Sequence, residues 1–350
     1  MQFIRPILIF VQILNMIKEN YSLKNYNTFN LNAKAKYFIE FTKEDEIYKF
    51  LQNWDIRKMP FLVLGGGSNI LFTHDYEGII LFPAFKGIEI IVEDENVVEI
   101  KARAGENWDN FVAFCVENGY CGLENLSLIP GNTGAVPIQN IGAYGVEVKD
   151  YIEWVEAIDI KNAIPVNFTK SACKFGYRDS IFKNELKGNY IITGVVFKLP
   201  KKHELITTYG TVEQELNKFN KKDIKALRQA IINIRERKLP DYRKIGNAGS
   251  FFKNPVISES FFTGLKKEFE DIPFFVTENS DYKIPAAWLI EQCGWKGKNN
   301  GDAGVFQKQP LVLVNYGEAT GKDIYHLSEQ IKNSVFNKFG IDLEREVMVI

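Results

Sequence analysis

Residues 122–147 read GLENLSLIPGNTGAVPIQNIGAYGVE, a connection too rich in glycine and proline to be a regular helix or strand. A Pro130-Gly131 turn and Gly134 come first, then Pro137-Ile138-Gln139-Asn140, then Gly142 and Gly145. Connections this long are usually functional or disordered. The interleaved Ile129, Val136, Ile138 and Ile141 argue against disorder, because they give the segment apolar side chains to bury. Few folds need so many special backbone positions together. One that does lays an extended peptide against a dinucleotide, where glycines let a pyrophosphate approach the backbone and Gln or Asn reads a ring edge. A glycine-rich linker is the alternative.

Upstream, the apolar run FLVL (61–64) reads as a buried strand that enters Gly65-Gly66-Gly67-Ser68-Asn69. Successive glycines let backbone N–H groups meet an anion, and Ser68 and Asn69 add side-chain donors, so a phosphate cradle is one reading and an ordinary tight turn the other. The run matches neither G-x-G-x-x-G nor a Walker loop. Around these landmarks, DEIYKFLQNW reads as a helix, IEIIVE and VVEIKARAG as a hairpin about Asp94-Glu95-Asn96, and 107–119 as a helix with Trp108, Phe111, Val112 and Cys115 on one face. YIEWVEAIDI and YIITGVVFKL read as strands. Asp223 caps an amphipathic helix with Ile224, Leu227, Ile231 and Ile234 on its buried stripe, and Pro240 lies just past its end. Further on come helices around 261–269, 285–293 and 323–340, the strand LVLVN and a final strand REVMVI. Helices and strands alternate without a regular βαβ rhythm or internal repeat, which points to an α+β fold.

The 350 residues suffice for two or three cores, and 45% hydrophobic with 25% charged residues is ordinary globular composition. Lys plus Arg number 43 against 44 Asp plus Glu. With no bulk positive field, sequence-independent nucleic-acid binding loses its main driving force. Cys115, Cys121, Cys173 and Cys293 form no C-x-x-C pair, and only His74, His203 and His326 accompany them, so reduced thiols and no metal cluster are expected. Residues 3–14, FIRPILIFVQIL, are too short to span a bilayer, which needs about 20 apolar residues. Residues 1–15 read as an extension ahead of a start at Met16, a signal peptide being the alternative. No later stretch reads as transmembrane.

Two further segments carry chemistry. Phe175-Gly176-Tyr177-Arg178-Asp179-Ser180 sets an Arg between an aromatic and a carboxylate, where its planar fork could meet a substrate carboxylate or form a structural ion pair. Gly246-Asn247-Ala248-Gly249-Ser250-Phe251-Phe252-Lys253-Asn254-Pro255 sets a Ser before two aromatics expected to shield it, with Lys253 and Asn254 as anion donors. No histidine lies nearby to activate Ser250 as a nucleophile and the G-x-S-x-G elbow is absent, so a reactive Ser250 would give a proton rather than attack.

LGGGSN, GLENLSLIPGNTGAVPIQNIGAYGVE, CKFGYRDSIFK, TYG, KLPD, GNAGSFFKNP, AAWLIEQCGWKG and LEREV stand in an order and at spacings that make the chain, from about Tyr21 onward, resemble the UDP-N-acetylenolpyruvoylglucosamine reductase family. The resemblance implies an FAD-binding part of the vanillyl-alcohol-oxidase type and a separate α+β substrate-binding domain. It divides the chain into residues 16–85 and 86–239 as two FAD-binding subdomains, 240–340 as the substrate domain and 341–350 as a strand returning to the active site. It implies FAD as cofactor, held by Gly65, Gly66, Gly67, Ser68, Asn69, Pro130, Gly131, Gly134, Ile138, Asn140, Gly142 and Arg235, with no metal. It implies NADPH as co-substrate, sharing one cleft with the UDP-sugar in turn, and a cytoplasmic monomer without membrane or nucleic-acid partner, serving peptidoglycan precursor synthesis.

The same resemblance assigns roles. Hydride enters the methylene carbon of an enolpyruvyl group, Arg178 and Glu346 hold the negative charge that develops, and Ser250 protonates the neighbouring carbon. Tyr209, in Thr208-Tyr209-Gly210, matches the tyrosine over the substrate diphosphate and marks the variant with this extra loop. Lys238 and Asn254 match phosphate and uridine-side contacts, Gln309 a further polar contact, and Lys238 as well as Arg235 could face the cofactor. Met348 stands where an Arg is expected, and Ala135 and Val136 replace hydroxyl residues found in some relatives. Two other readings keep the fold or the cleft: a different flavin oxidase or dehydrogenase, which has no evident need of Ser250 with Tyr209, and a nucleotide-sugar-binding regulator without turnover.

Overall fold

A computed structural model describes residues 16–277 and 279–350. The expected extension at 1–15 lies outside the described residues. The chain forms two compact units: one holds residues up to Tyr21, Ala35–Gly67 and Tyr76–Arg237, the other Ser22–Lys34, Ser68–Asp75 and Lys238–Ile350. Thus 22–34 and 68–75, which the sequence reading groups with 16–85, count with the second unit, and Gly67 and Ser68 fall on opposite sides of the division.

In the first unit, Ile17–Ser22, Lys34–Phe41, Tyr76–Pro83 and Phe61–Val63 lie side by side in that order, the last three parallel, with Phe38 and Leu62 both level with Ile80. The helix Glu44–Asn53 makes the crossover from the second strand to Phe61–Val63 and buries Ile47 and Phe50 with Ile39, Phe41, Ile79 and Leu81. A second, antiparallel sheet has the order 164–169, 152–159, 190–200, 97–103, 88–93. Alternate residues of its strands, Val98, Ile100, Ala102, Val155, Ala157, Val195 and Phe197, face the helix Trp108–Glu117, as the period of two requires. Asn107 caps that helix by accepting the N–H of Asn110 at 3.0 Å, and Trp108 and Phe111 meet Phe197 at centroid distances of 5.9 and 4.9 Å. The expected hairpin is present as Ile88–Glu93 paired with Val97–Arg103.

Asp223 accepts the N–H of Ala226 at 2.9 Å and so starts the helix Ile224–Lys238 as expected. Leu227, Ile231 and Ile234 are buried against Val212 and Leu216 of a short helix, Val212–Leu216, that the sequence pattern does not announce. Glu215 of that helix is almost fully buried and meets Arg237 at 2.6 Å and Lys218 at 2.8 Å. Its hydrogen bond to Arg237, then that to Lys218, hold its pKa down at about 2, against an ordinary 4.5. A carboxyl lowered on folding stabilises the fold fully above its unfolded pKa and loses that contribution as pH falls toward the folded value. Glu215→Gln is therefore expected to lower the thermal midpoint near neutrality and to narrow the gap from the parent between pH 4.5 and about 2, as scanning calorimetry across that range would show.

The second unit is built on an antiparallel sheet of Gly246–Ser250, Val312–Asn315, Ala303–Val305 and Asn299–Asn300. The helix Gly321–Phe339 covers it with Ile324, Leu327, Ile331, Val335 and Phe339. Thr320 and Asp323 form a reciprocal capping box at its start, and Gly340, at φ 66°, ends it. Met348–Val349 pairs in parallel with Ile70–Leu71, which ties the end of the chain to the residues after the glycine loop. Among the described residues no helix is long and apolar enough to cross a membrane, and no group of three or more His, Cys, Asp and Glu side chains is placed to hold a metal.

Candidate active site

In the first unit, the strand Phe61–Val63 delivers the chain into Gly65-Gly66-Gly67. A Cβ on Gly66 would lie 2.7 Å from Gly131 Cα, so the two glycine segments run backbone against backbone and leave no room for side chains between them. The N–H groups of Gly65 and Gly66 find no acceptor among the described residues. Gly131 accepts the N–H of Trp108 at 3.1 Å and Gly134 donates to Ala104 at 3.0 Å, which anchors the Pro130–Gly134 segment to the helix start and the sheet. Ile138 lies partly buried on the second sheet's core, and its carbonyl accepts from Ser180 Oγ at 2.6 Å. A bare backbone wall with undirected N–H donors fits a pyrophosphate.

Arg178 occupies the third position of a tight turn closed by the N–H of Asp179 to the carbonyl of Gly176 at 3.2 Å, and its φ is 55°. A side chain at this left-handed position costs about 1–3 kcal/mol, so something must hold it there. Nη1 donates to the Asn140 carbonyl at 3.4 Å and lies 3.9 Å from Glu147 Oε1, Nη2 donates to the Gly142 carbonyl, and the guanidinium sits 5.3 Å from the Tyr177 ring centre. A Cβ on Gly142 would come within 2.7 Å of Nη1, so glycine there gives the guanidinium room to sit as it does. Asn140 is fully buried, and its amide donates to Glu147 Oε2 at 3.0 Å and Gly176 O at 2.8 Å while its Oδ1 accepts from Lys149 at 3.1 Å. Its side chain is committed to the protein, so it builds the Arg178 turn and leaves only its backbone for a cofactor.

Arg235, on the helix Ile224–Lys238, faces Tyr144 and Asp109, and its Nε is enclosed with no hydrogen-bond partner. Burial pushes its pKa below the ordinary guanidinium value, opposed by Tyr144 and Asp109. Asp109 is itself gripped by Arg228 at 2.7 and 3.0 Å. The guanidinium hydrogen-bonds to Tyr144, and its Nε is the kind of donor that an anionic group would satisfy. Tyr209, 46% exposed, stands edge-on to Tyr144 at 6.2 Å.

In the second unit, Ser250 is exposed at the end of the strand Gly246–Ser250. Phe251 and Phe252 turn away into the core at 0% and 1% exposure; they anchor the serine's backbone and do not shield its hydroxyl as the sequence suggests. The reason is the ladder beyond: Glu346 N donates to Phe251 O at 2.9 Å and Lys253 N to Glu344 O at 2.9 Å, which fixes the segments bearing Ser250 and Glu346 in one register. Arg345 locks that ladder to the helix Gly321–Phe339 through Ser328 Oγ at 2.9 Å, the Tyr325 ring at 4.6 Å and an ion pair with Glu329. Asn69 Nδ2 donates to the Glu346 carbonyl at 3.1 Å and its own carbonyl accepts from Met348 at 3.1 Å, so this residue holds the C-terminal strand.

Lys238 is exposed at the end of its helix. Asn254 Oδ1 accepts the N–H of Ala286 at 2.9 Å and so starts the helix Ala286–Gln292, and Lys253 pairs with Glu344 at 2.5 Å. The partly buried Gln309 sits in the turn before Val312–Asn315. Glu147, Tyr144 and Arg345 are absent from the sequence reading; a carboxylate two residues past a glycine-rich run carries no signal until the turn at Arg178 folds onto it.

The architecture and the glycine walls define a flavoenzyme class: an FAD-binding domain model matches residues 35–164. The C-terminal domain of UDP-N-acetylenolpyruvoylglucosamine reductase matches residues 240–350. A reductase of that name from Flavobacterium johnsoniae is 47% identical over 95% of this chain and 99% of its own length. Another from Amoebophilus asiaticus is 46% identical over 95% and 99%. The crystal structure of the Thermus caldophilus reductase shares the fold, with TM-score 0.64 at 24% identity over 95% of this chain and 97% of that one. The chain belongs to the UDP-N-acetylenolpyruvoylglucosamine reductase family.

Proposed function

We propose that Arg178, Ser250 and Glu346 carry the chemistry of this FAD-dependent, NADPH-linked reductase, which converts UDP-N-acetyl-3-O-(1-carboxyvinyl)glucosamine to UDP-N-acetylmuramate. When bound, FAD supplies the hydride that it takes from NADPH. The Gly65-Gly66 and Pro130–Gly134 backbones and the guanidinium of Arg235 are suited to its pyrophosphate and anionic groups. As the methylene carbon of the enolpyruvyl group gains hydride, the double bond becomes single and an electron pair gathers on the neighbouring carbon and its carboxylate. Arg178 stabilises that charge as a cation already fixed by its turn, and Glu346 hydrogen-bonds beside it. Ser250 Oγ gives its proton to the carbanionic carbon and recovers one from water. A serine is a weak acid, so this transfer depends on a strongly basic carbon and a hydroxyl held in place.

The observation that carries the reading is the seat of Arg178: a strained φ of 55° maintained by two carbonyls and Glu147 keeps a cation preorganised for charge that develops beside it. Tyr209, Lys238, Asn254 and Gln309 take the UDP-sugar, with Asn254 doing so beyond its helix-capping bond. NADPH and the UDP-sugar use one cleft alternately, in a cytoplasmic monomer serving cell-wall synthesis. Initial rates at several fixed NADPH concentrations should then give parallel double-reciprocal lines; intersecting lines would contradict alternation. Gly66→Ala is expected to fold but to carry far less FAD, because its methyl group must force the two backbones apart. Visible flavin absorbance per chain, with far-ultraviolet circular dichroism as the folding control, measures this.

A further inference from the structure

Two polar side chains with no part in the chemistry above are buried next to each other. Glu124 is 0% and Asn125 1% exposed, on the single turn Glu124–Leu126. A buried carboxylate is costly unless it is paired and hydrogen-bonded, so its partners indicate its purpose. Glu124 Oε1 lies 2.6 Å from His203 Nε2, and Oε2 accepts the N–H of Gly122 at 2.6 Å. Asn125 Nδ2 donates to the carbonyls of Ile206 at 2.9 Å and Tyr144 at 2.8 Å. The N–H of Cys121 donates to Pro200 O at 2.8 Å. Residues 121–125 therefore grip residues 200–206 at three points. Downstream, the helix Val212–Leu216 is held by Glu215 through Arg237 and Asn233. Only 207–211 lie between the two anchors, and Tyr209 is at their centre. Asn125 grips both ends of the arrangement, the root of the loop at Ile206 and the backbone of Tyr144, against whose ring Tyr209 rests.

We propose that Glu124 and Asn125 are positioning residues for the UDP-sugar: their clamp on His203 and Ile206 confines the span that carries Tyr209 to 207–211, so that little chain is left to order when Tyr209 engages the substrate. The inference rests on the assignment of Tyr209 to the substrate diphosphate. Without the clamp the span from Lys202 to Thr211 must be ordered at binding, since Pro200 and Lys201 stay held by Cys121, Asn96 and Glu93, and ordering mobile side chains and loop opposes association.

The test uses the FAD-loaded enzyme with Glu124→Gln and, because the former removes a buried charge, His203→Ala from the loop side. Both are expected to speed tryptic cleavage after Lys201 and Lys202, to weaken UDP-sugar binding roughly tenfold, and to leave flavin reduction by NADPH unchanged. Combined with Tyr209→Ala, which itself weakens binding, either substitution should add less than about twofold, since an anchor has no effect on binding once the residue it presents is gone. Unaltered cleavage in both variants overturns the clamp, as does a full tenfold loss in the Tyr209→Ala background. Faster cleavage, with Tyr209→Ala itself binding the UDP-sugar normally, would instead overturn the assignment of Tyr209 and with it the clamp's bearing on substrate.

Discussion

Ser250→Ala is expected to take up FAD and to be reduced by NADPH at close to the parental rate, while its oxidation by the UDP-sugar slows by about 10²- to 10⁴-fold, the usual contribution of a positioned proton donor. The hydroxyl is exposed at a strand end, and the residues that hold its backbone are Phe251, Phe252 and the ladder to Glu344–Glu346. Removing one oxygen there touches no core contact, so the fold and the glycine walls of the other unit should be unaffected. Stopped-flow mixing separates the two half-reactions. An equal loss in both would mean that Ser250 supports the fold or the cofactor and does not supply the proton.

Arg178→Ala should cost about 10²- to 10³-fold in turnover of the UDP-sugar, the scale set by losing one preorganised charge-stabilising donor. The size follows from where the guanidinium sits. Its turn already bears the strain, so no reorganisation is required as charge develops. Arg178→Lys should recover little, because an ammonium cannot hold the Gly142 and Asn140 carbonyls with one fork and still present a second edge. Gly142→Ala offers an independent check. It keeps the arginine but sets a methyl carbon 2.7 Å from where Nη1 now lies, so the guanidinium must shift from its present contacts and part of the same loss should follow. If Arg178→Ala instead lowers the thermal midpoint by several degrees and leaves turnover per folded chain intact, the residue is a structural pin.

Much of this was legible before folding. The glycine runs announce themselves because few backbones need consecutive residues without side chains, and the helix 224–238 is marked by Asp223 and a clean apolar stripe. Other features have no local signature. Ile164–Thr169, with Pro165 and Asn167 inside it, becomes a strand because Val155 and Ala157 lie opposite Phe168 and Val166. The assignment of 22–34 and 68–75 to the second unit depends on pairings such as Ile70 with Met348, hundreds of residues apart. The Phe251-Phe252 pair misleads for a related reason: two aromatics beside a serine look like a shield until the ladder to Glu346 turns them inward. At the candidate site, Arg178 could be read from its motif, whereas its supports at Asn140, Gly142 and Glu147 become a seat only once the turn closes on them.

The most direct measurement is an anaerobic titration of the purified protein, first with NADPH and then with the enolpyruvyl UDP-sugar, following the visible flavin spectrum. The account predicts a yellow protein that bleaches with one equivalent of NADPH and regains its colour with one equivalent of UDP-sugar, yielding UDP-N-acetylmuramate. A colourless protein that cannot take up FAD, or a bleached one that the UDP-sugar leaves bleached, would contradict it.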